Sequence, residues 1–402
     1  MSDVKVSSGT GGEEQGLLIA AFTFSEPDAV ALRDSLTRLK YPEAPVERGG
    51  LNAARTWCEL NLPPQMLIVD IEAEPWPLPA LEALLAICGP ECQVIVTGNA
   101  QDVSLYRSLL QLGITEYLVK PYALDQLSAA LAKCKGMHTG SEYARLGRTV
   151  AIAGVSGGVG TSTVAAGLGY LFATERHLPT GLVDFDRRNG DQLLLLGQDE
   201  DAGLAAVLTT EVLDSQLLQR AMIKVDTRLH LLAQKPVRRS DNEVDADTVL
   251  NLGGALCRMF NQVIWDLPCS FPTGALDVLT YADLRILVTE LTLQDARNLR
   301  SILHDIGDES EGQRLLLVNN QSHFSSNPPL SRAEFEQVVG RPIDVVLPHA
   351  GHTLARSLAL GALDIHASLP WLQALRELSH LACGQRPEPA KKHWFSTLLR
   401  RA

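Results

Sequence analysis

Ser156-Gly157-Gly158-Val159-Gly160-Thr161-Ser162-Thr163 is the run of this chain whose residue types and spacing are best suited to chemistry. Gly157, Gly158 and Gly160 allow several backbone N–H groups to converge on one anion. The flanks agree with that use. Thr149-Val150-Ala151-Ile152-Ala153 is apolar and β-prone, and small helix-forming residues follow from Val164. A strand feeding a glycine-rich loop and then a helix N-terminus is the architecture of a phosphate cradle. A glycine-rich turn by itself can be only a tight connection. The complete frame between strand and helix points to a phosphate site.

This frame resembles the deviant Walker A loop of the MinD/ParA group of P-loop ATPases, Lys-Gly-Gly-Val-Gly-Lys-Thr-Thr, with both lysines replaced. The resemblance implies that Ser156 stands where a signature lysine reaches across a dimer to the partner's nucleotide. It implies that Thr161 stands where a lysine holds the β- and γ-phosphates, and that Ser162 keeps the hydroxyl offered to Mg²⁺. The loop would therefore keep its backbone nest while lacking the point charges that stabilise phosphoryl transfer.

Later segments follow the same group in order. Thr180-Gly181-Leu182-Val183-Asp184-Phe185-Asp186 is a strand ending in acids, and by resemblance Asp186 inherits the positioning of an attacking water. Arg187 and Arg188 follow directly, as surrogate phosphate ligands or as solvent-facing loop residues. Gln262-Val263-Ile264-Trp265-Asp266-Leu267-Pro268 resembles Walker B, with Asp266 beside the Mg²⁺ water shell; capping the next element is the plainer role of such an Asp. Asn319 matches an asparagine that reads the adenine edge, and Asn320 replaces the usual arginine. The strand Ile343–Leu347 ends in Pro348, which resembles the nucleotide-side loop of the group, and Ala359-Leu360-Gly361 is expected on the following helix. ATP and Mg²⁺ are the implied ligands.

A second constellation lies upstream. The stretch ending in Lys120-Pro121 resembles a response-regulator receiver. Asp70 stands at the phosphoacceptor position, Thr97 at the switch hydroxyl, Tyr117 at the switch aromatic and Lys120 at the phosphate-pairing lysine. Receivers also place two acids after the first strand, and here those positions read Phe24-Ser25 before Glu26-Pro27. With Asp70 nearly alone as a hard-cation ligand, Mg²⁺-dependent phosphotransfer should be impaired. Asp70 and Lys120 then read as a residual ion pair in a domain kept for partner contact or dimerisation.

The elements that must position these residues alternate. Strands are predicted at Gly16–Phe22, Gln65–Asp70, Gln93–Thr97 and Glu116–Val119, with helices near Pro27–Leu39, Ser104–Leu112 and Leu124–Cys134. Downstream, strands at Arg228–Ala233, Asp283–Thr289 and Leu315–Asn320 join those already named. Alternation of this period predicts α/β architecture: two doubly wound parallel-sheet domains, the first receiver-like (flavodoxin-like), the second MinD/ParA-like. The expected boundaries are a disordered tail over 1–15, the receiver-like domain over 16–135, a linker over 136–147, the P-loop domain over 148–383 and a terminal segment over 384–402.

Composition narrows the partners. At 402 residues the chain has room for two or three domains, and 46% hydrophobic with 20% charged residues describes an ordinary globular protein. A net charge of −12 argues against nucleic acid as the main partner. The seven cysteines show no metal-ligand spacing. There is no signal-peptide pattern and no apolar run of the ~18 residues that a membrane span needs, so a cytosolic location is expected. After Arg386-Pro387-Glu388-Pro389, the run Lys391–Arg401 places Trp394, Phe395, Leu398 and Leu399 on one helical face with basic residues at both ends. Such a tail suits an anionic membrane surface, a partner groove or docking onto its own domain.

A receiver-like domain ahead of a MinD/ParA-like domain with an altered Walker A resembles the TadZ/CpaE family, over roughly residues 16–383. That resemblance implies a localisation factor of the tight-adherence (Flp, type IVc) pilus machinery: a homodimer, at a cell pole, recruiting a secretion ATPase or inner-membrane components. Ser156 departs from the family's usual lysine and weakens the expectation of hydrolysis. The readings in order are a nucleotide-binding, weakly or non-hydrolysing scaffold, an ATPase cycling on a surface, a receiver-controlled regulator, and last a DNA-partition protein.

Overall fold

The computed structural model describes residues 17–136, 145–200, 203–210, 213–237, 244–310, 312–323 and 327–385. The expected N-terminal tail, residues 137–144 of the expected linker, and Trp394, Phe395, Leu398 and Leu399 of the basic tail lie outside the described residues. The chain divides into two compact units, Met1–Leu146 and Gly147–Ala402.

The first unit is built on five strands, β1 (Ile19–Thr23), β2 (Val46–Arg48), β3 (Met66–Asp70), β4 (Gln93–Gly98) and β5 (Glu116–Val119). All pairings are parallel, in the order β2-β1-β3-β4-β5. This is the flavodoxin-like doubly wound order, with its site expected at the carboxyl ends of β1 and β3, where the order reverses. β1 and β3 are buried along their whole length, the pattern of strands covered by helices on both faces. β2 is one short strand that periodicity does not reveal: only Val46 of its three residues is buried. The helix Glu26–Arg38 starts on a capped turn, Ser25 Oγ accepting from the Asp28 N–H at 3.2 Å with Pro27 in the first turn. That cap holds the Asp28 carboxylate at the carboxyl edge of the sheet.

The second unit holds β6 (Arg148–Gly154), β7 (Thr180–Asp184), β8 (Ile223–Lys224), β9 (Leu229–Leu232), β10 (Gln262–Leu267), β11 (Leu284–Thr289), β12 (Arg314–Asn320) and β13 (Val345–Leu347). Their order is β13-β12-β11-β6-β10-β7-β9-β8, parallel throughout except for the antiparallel edge strand β8. β6 sits centrally, between β11 and β10, so the loop leaving its carboxyl end opens among several strand ends. Trp265 of β10 is wholly buried and meets Phe185 edge-on, ring centroids 5.6 Å apart. Burying one such large apolar side chain contributes roughly 1.5–3 kcal/mol, so the strands carrying the site are among the best anchored parts of the unit.

Small residues serve the helix Thr161–Thr174. At Gly167 a Cβ would lie 2.7 Å from Leu375 and 2.9 Å from Trp371 of the helix Leu369–Ala382, so glycine permits that close packing. One expectation fails locally: Ala359-Leu360-Gly361 lies in the turn beyond the helix Thr353–Leu358, not on it. Gly361 at φ +141° cannot continue a helix, which is why the segment leaves it there.

Candidate functional site

The loop after β6 is held open by glycine and braced from one side. Gly158 (φ +82°) and Gly160 (φ +85°) take the left-handed conformation that directs N–H groups toward a common centre. A Cβ at Gly160 would lie 2.4 Å from Asn320 Nδ2, and that amide donates to the Val159 carbonyl at 2.7 Å. Ser322 Oγ donates to Gly158 O at 3.3 Å. Helix Thr161–Thr174 begins immediately after, with its unpaired N–H groups and positive dipole end.

Both lysine positions are taken up by internal contacts. Ser156 Oγ donates to Asp295 Oδ1 at 2.6 Å and accepts from Asn298 Nδ2 at 3.2 Å; Asn298 also donates to Val155 O at 3.1 Å. Asp295 is buried, fixed by Thr292 Oγ1 and by the Glu290 N–H. Ser156 is therefore turned toward the helix Leu293–Ile306. Thr161 Oγ1 packs over Gly154, where a Cβ would lie 2.4 Å from it.

Acids gather on the opposite side of the loop. Asp184 ends β7 and is the cross-strand partner of Asp266 in β10; both are buried. Gln192 joins them. Its N–H donates to Asp184 Oδ2 at 3.0 Å, and its Nε2 to Asp266 Oδ2 at 2.8 Å and to Ser162 O at 3.0 Å. The Ser162 hydroxyl also bonds Asp266. Burial, opposed by the bonds from Gln192 and Ser162, leaves the Asp266 carboxyl pushed up to about 6. Burial and the Asp266 charge push Asp184 well above the carboxylate range, so the two titrate as a pair. Asp186 braces its own turn, its Oδ1 accepting from Arg188 N at 3.1 Å and Asn189 N at 2.9 Å. Arg187 is half-buried and Arg188 exposed.

These residues fit a Mg·nucleotide in donor type. The nest and helix N-terminus suit phosphate, and Ser162, Asp266, Asp184 and Asp186 supply hard oxygens. Gln192 Oε1 is a buried acceptor without a partner among the described residues, in the midst of the acids. Sequence reasoning missed Gln192, because a polar residue opening the four-residue helix Gln192–Leu195 carries no motif. It also missed the bracing by Asp295, Asn298 and Ser322, which is long-range.

Asn319, next to last in β12, is buried and lines a small recess with Glu290, Leu291, Gln321 and Pro328. Asn320 braces the phosphate loop instead of facing a base. Pro348 directly follows β13, and its neighbour His349 donates through Nδ1 to Gln321 O at 2.9 Å, on the side of that recess.

In the first unit, Asp70 and Thr97 are register partners at the carboxyl ends of β3 and β4, both buried. Lys120 Nζ meets Asp70 Oδ2 at 2.6 Å, Glu72 Oε2 at 2.6 Å and Asp28 Oδ2 at 2.8 Å. Asp70 is thus not nearly alone. Asp28 reaches the site from the first helical turn, two residues beyond where Glu26-Pro27 drew attention, and Glu72 from the loop after β3. The three carboxylates lie close enough together to suit a divalent cation, and the Lys120 ammonium, bonded to one oxygen of each, already supplies positive charge to the cluster. Burial alone would lower the Lys120 ammonium; the hydrogen bonds to Asp28, Asp70 and Glu72 raise it above its ordinary value. The Lys120 bond in turn holds the Asp28 carboxyl below its ordinary value. Tyr117 is buried, its hydroxyl donating to Ala100 O at 3.0 Å.

No family model matches the chain. A septum site-determining protein MinD of Guillardia theta is 29% identical over 210 residues, half of this chain and 76% of that protein. The crystal structure of a ParA family ATPase from Chlorobium tepidum covers 58% of this chain and 98% of its own, with a TM-score of 0.52 and 21% identity. A pilus assembly protein CpaE from Caulobacter crescentus is 28% identical, covering 29% of this chain and 94% of its own at a TM-score of 0.27. Among the described residues no helix is long and apolar enough to cross a membrane. The central β6 strand, its glycine nest, the strand-end acids of β7 and β10 and the likeness to the ParA family ATPase agree: the second unit carries a MinD/ParA-like P-loop fold, and it follows a five-stranded parallel α/β unit in the sequence.

Proposed function

We propose that the protein is a nucleotide-binding scaffold with little or no hydrolysis, which positions tight-adherence (Flp, type IVc) pilus secretion machinery at the inner face of the membrane, at a cell pole. The observation that carries the nucleotide part is the loop itself. Its backbone nest is intact, whereas Ser156 is committed to Asp295 and Thr161 to packing on Gly154. A nest and a metal hydroxyl bind phosphate; without a lysine or arginine on the transferred group, transition-state charge goes unneutralised. Nucleotide then acts as a structural ligand that selects a conformer by differential affinity.

The pilus part rests on the order of units, a flavodoxin-like sheet ahead of a P-loop unit with an altered Walker A, as in the TadZ/CpaE resemblance. In this reading the working form is a homodimer, and the basic tail with Trp394, Phe395, Leu398 and Leu399 gives peripheral membrane contact, reinforced when a dimer supplies two copies. The partners are a secretion ATPase or inner-membrane components.

The test is restoration of the lysines. Phosphate release by the wild-type chain should stay near background, and Thr161→Lys with Ser156→Lys should raise it at least ~10-fold. Wild-type turnover as fast as that of the double variant would show an ATPase that works without these lysines, with Arg187 and Arg188 as its candidate cations.

A further inference from the structure

The helix Leu293–Ile306 has two chemically distinct faces. Its inner face holds Asp295 and Asn298, which grip Ser156 of the phosphate loop. Its outer face carries Leu293, Arg297, Arg300 and His304, at helical spacing of i, i+4, i+7 and i+11. With Val338 of the neighbouring helix Arg332–Val339 they line a groove of about 930 Å³. Leu293 is 66% exposed and Val338 40%, both large apolar groups facing solvent. Gln294 and Ser301 complete the lining, which among the described residues holds two arginines and a histidine and no carboxylate, although the chain has 47 acidic against 35 basic residues. Exposed apolar groups beside charges that are all basic are the complement of one chemistry.

We infer that this groove docks an acidic amphipathic helix of a partner protein, its apolar stripe over Leu293 and Val338 and its carboxylates on Arg297 and Arg300. Arginine is suited to that rim because its planar fork pairs bidentately with carboxylate, and helix-in-groove docking reads out apolar anchors at this spacing. The chain's own tail is excluded by charge, since Lys391, Lys392, Arg400 and Arg401 would face Arg297 and Arg300. Two arginines are few for a nucleic acid, whose affinity grows with each phosphate neutralised. Because the same helix holds Ser156 from within, a docked partner and the phosphate loop press on opposite faces of one rigid element. The inference adds to the scaffold reading the chemistry of one partner.

The probe is a fluorescein-labelled amphipathic peptide of roughly three heptads, leucine on one face and glutamate on the other, followed by anisotropy with the full chain. A matched peptide with lysine for glutamate is the control. The acidic peptide should bind, weaken with salt, and lose at least ~10-fold in affinity with Arg297→Glu/Arg300→Glu, while the lysine peptide binds at least ~10-fold more weakly. Circular dichroism checks that the variant is folded, and Arg300→Glu alone should show a smaller loss in the same direction. Three results would overturn the inference: no binding of the acidic peptide, undiminished binding by the folded double variant, or a single-stranded oligonucleotide that displaces the peptide through the same arginines. A doubling of molar mass abolished by the same substitutions would assign the groove to a second copy and overturn it equally. The assay runs without nucleotide, so its outcome is separate from whether ATP binds.

Discussion

The two carboxylate sites of this protein solve the same electrostatic problem in opposite ways. In the first unit, Asp28, Asp70 and Glu72 converge on Lys120, whose ammonium lies within 2.8 Å of all three. In the second, Asp184 and Asp266 are buried side by side at strand ends with Gln192 as their shared donor, and the loop facing them has lost both lysines. The first site carries its own cation. The second leaves buried acids pushed toward protonation beside a nest of backbone N–H groups. Incomplete neutralisation of this kind costs stability and is a mark of a ligand site, whereas a satisfied cluster is the mark of a structural one. The lesson is that a retained motif residue says little until its neighbours are counted: Asp70 has an internal cation in Lys120, whereas Ser162 and Asp266 have only Gln192 and each other.

The comparison is broken most severely by removing the internal cation. Lys120→Met leaves three carboxylates facing one another around a buried Asp70 and should lower stability by about 3 kcal/mol at neutral pH, read by denaturant melts. The low end of the usual range applies because the Asp28 and Glu72 side chains are about a third exposed. The sign follows from the shifts. Asp28 is held below its ordinary value, so its part of the stabilisation is present above about pH 4 and is lost as pH falls further. Lys120 is held above its ordinary value, so its part is present below about pH 10 and is lost at higher pH. The variant and the wild type should therefore converge in acid.

Next in size, Gly158→Val puts a β-branched side chain at φ +82° and should reduce ATP affinity by at least ~100-fold, about 2.7 kcal/mol. Isothermal titration measures it; unchanged affinity would place nucleotide elsewhere. The smallest effect sharpens the contrast from the other side. Asp266→Asn keeps a neutral acceptor for Gln192 while removing a buried charge whose folded value is raised to about 6. A raised carboxyl makes the folded state lose stability as pH climbs from about 4 to about 6, so the variant should be more stable than wild type by about 1–2 kcal/mol at pH 8 and equal to it below pH 4. Melting curves at both pH values check the sign.

Much of this was legible in sequence, and the reasons are local. The nest is a contiguous eight-residue frame, and buried parallel strands announce themselves as apolar runs, so β3, β6, β7, β10 and β12 could be placed, with the acids toward the ends of β3, β7 and β10. β2 could not, since two of its three residues face solvent. Asp28 escaped because it enters from a helical turn and not from a strand end, although Ser25 three residues before it is a capping signal. Gln192, Asn298 and Asn320 act across the fold, on partners 30 to 161 residues away in sequence. Only the packed chain brings them to the loop.

The central claim is that the second unit is open to a nucleotide that it holds without turning over. Titrating the full chain with Mg·ATP while recording affinity, phosphate release and molar mass in one sample tests it directly. Saturable binding with release at background, and a mass that rises to a dimer, is the predicted result. Steady release would contradict the scaffold, and absence of binding would make the glycine nest a relic.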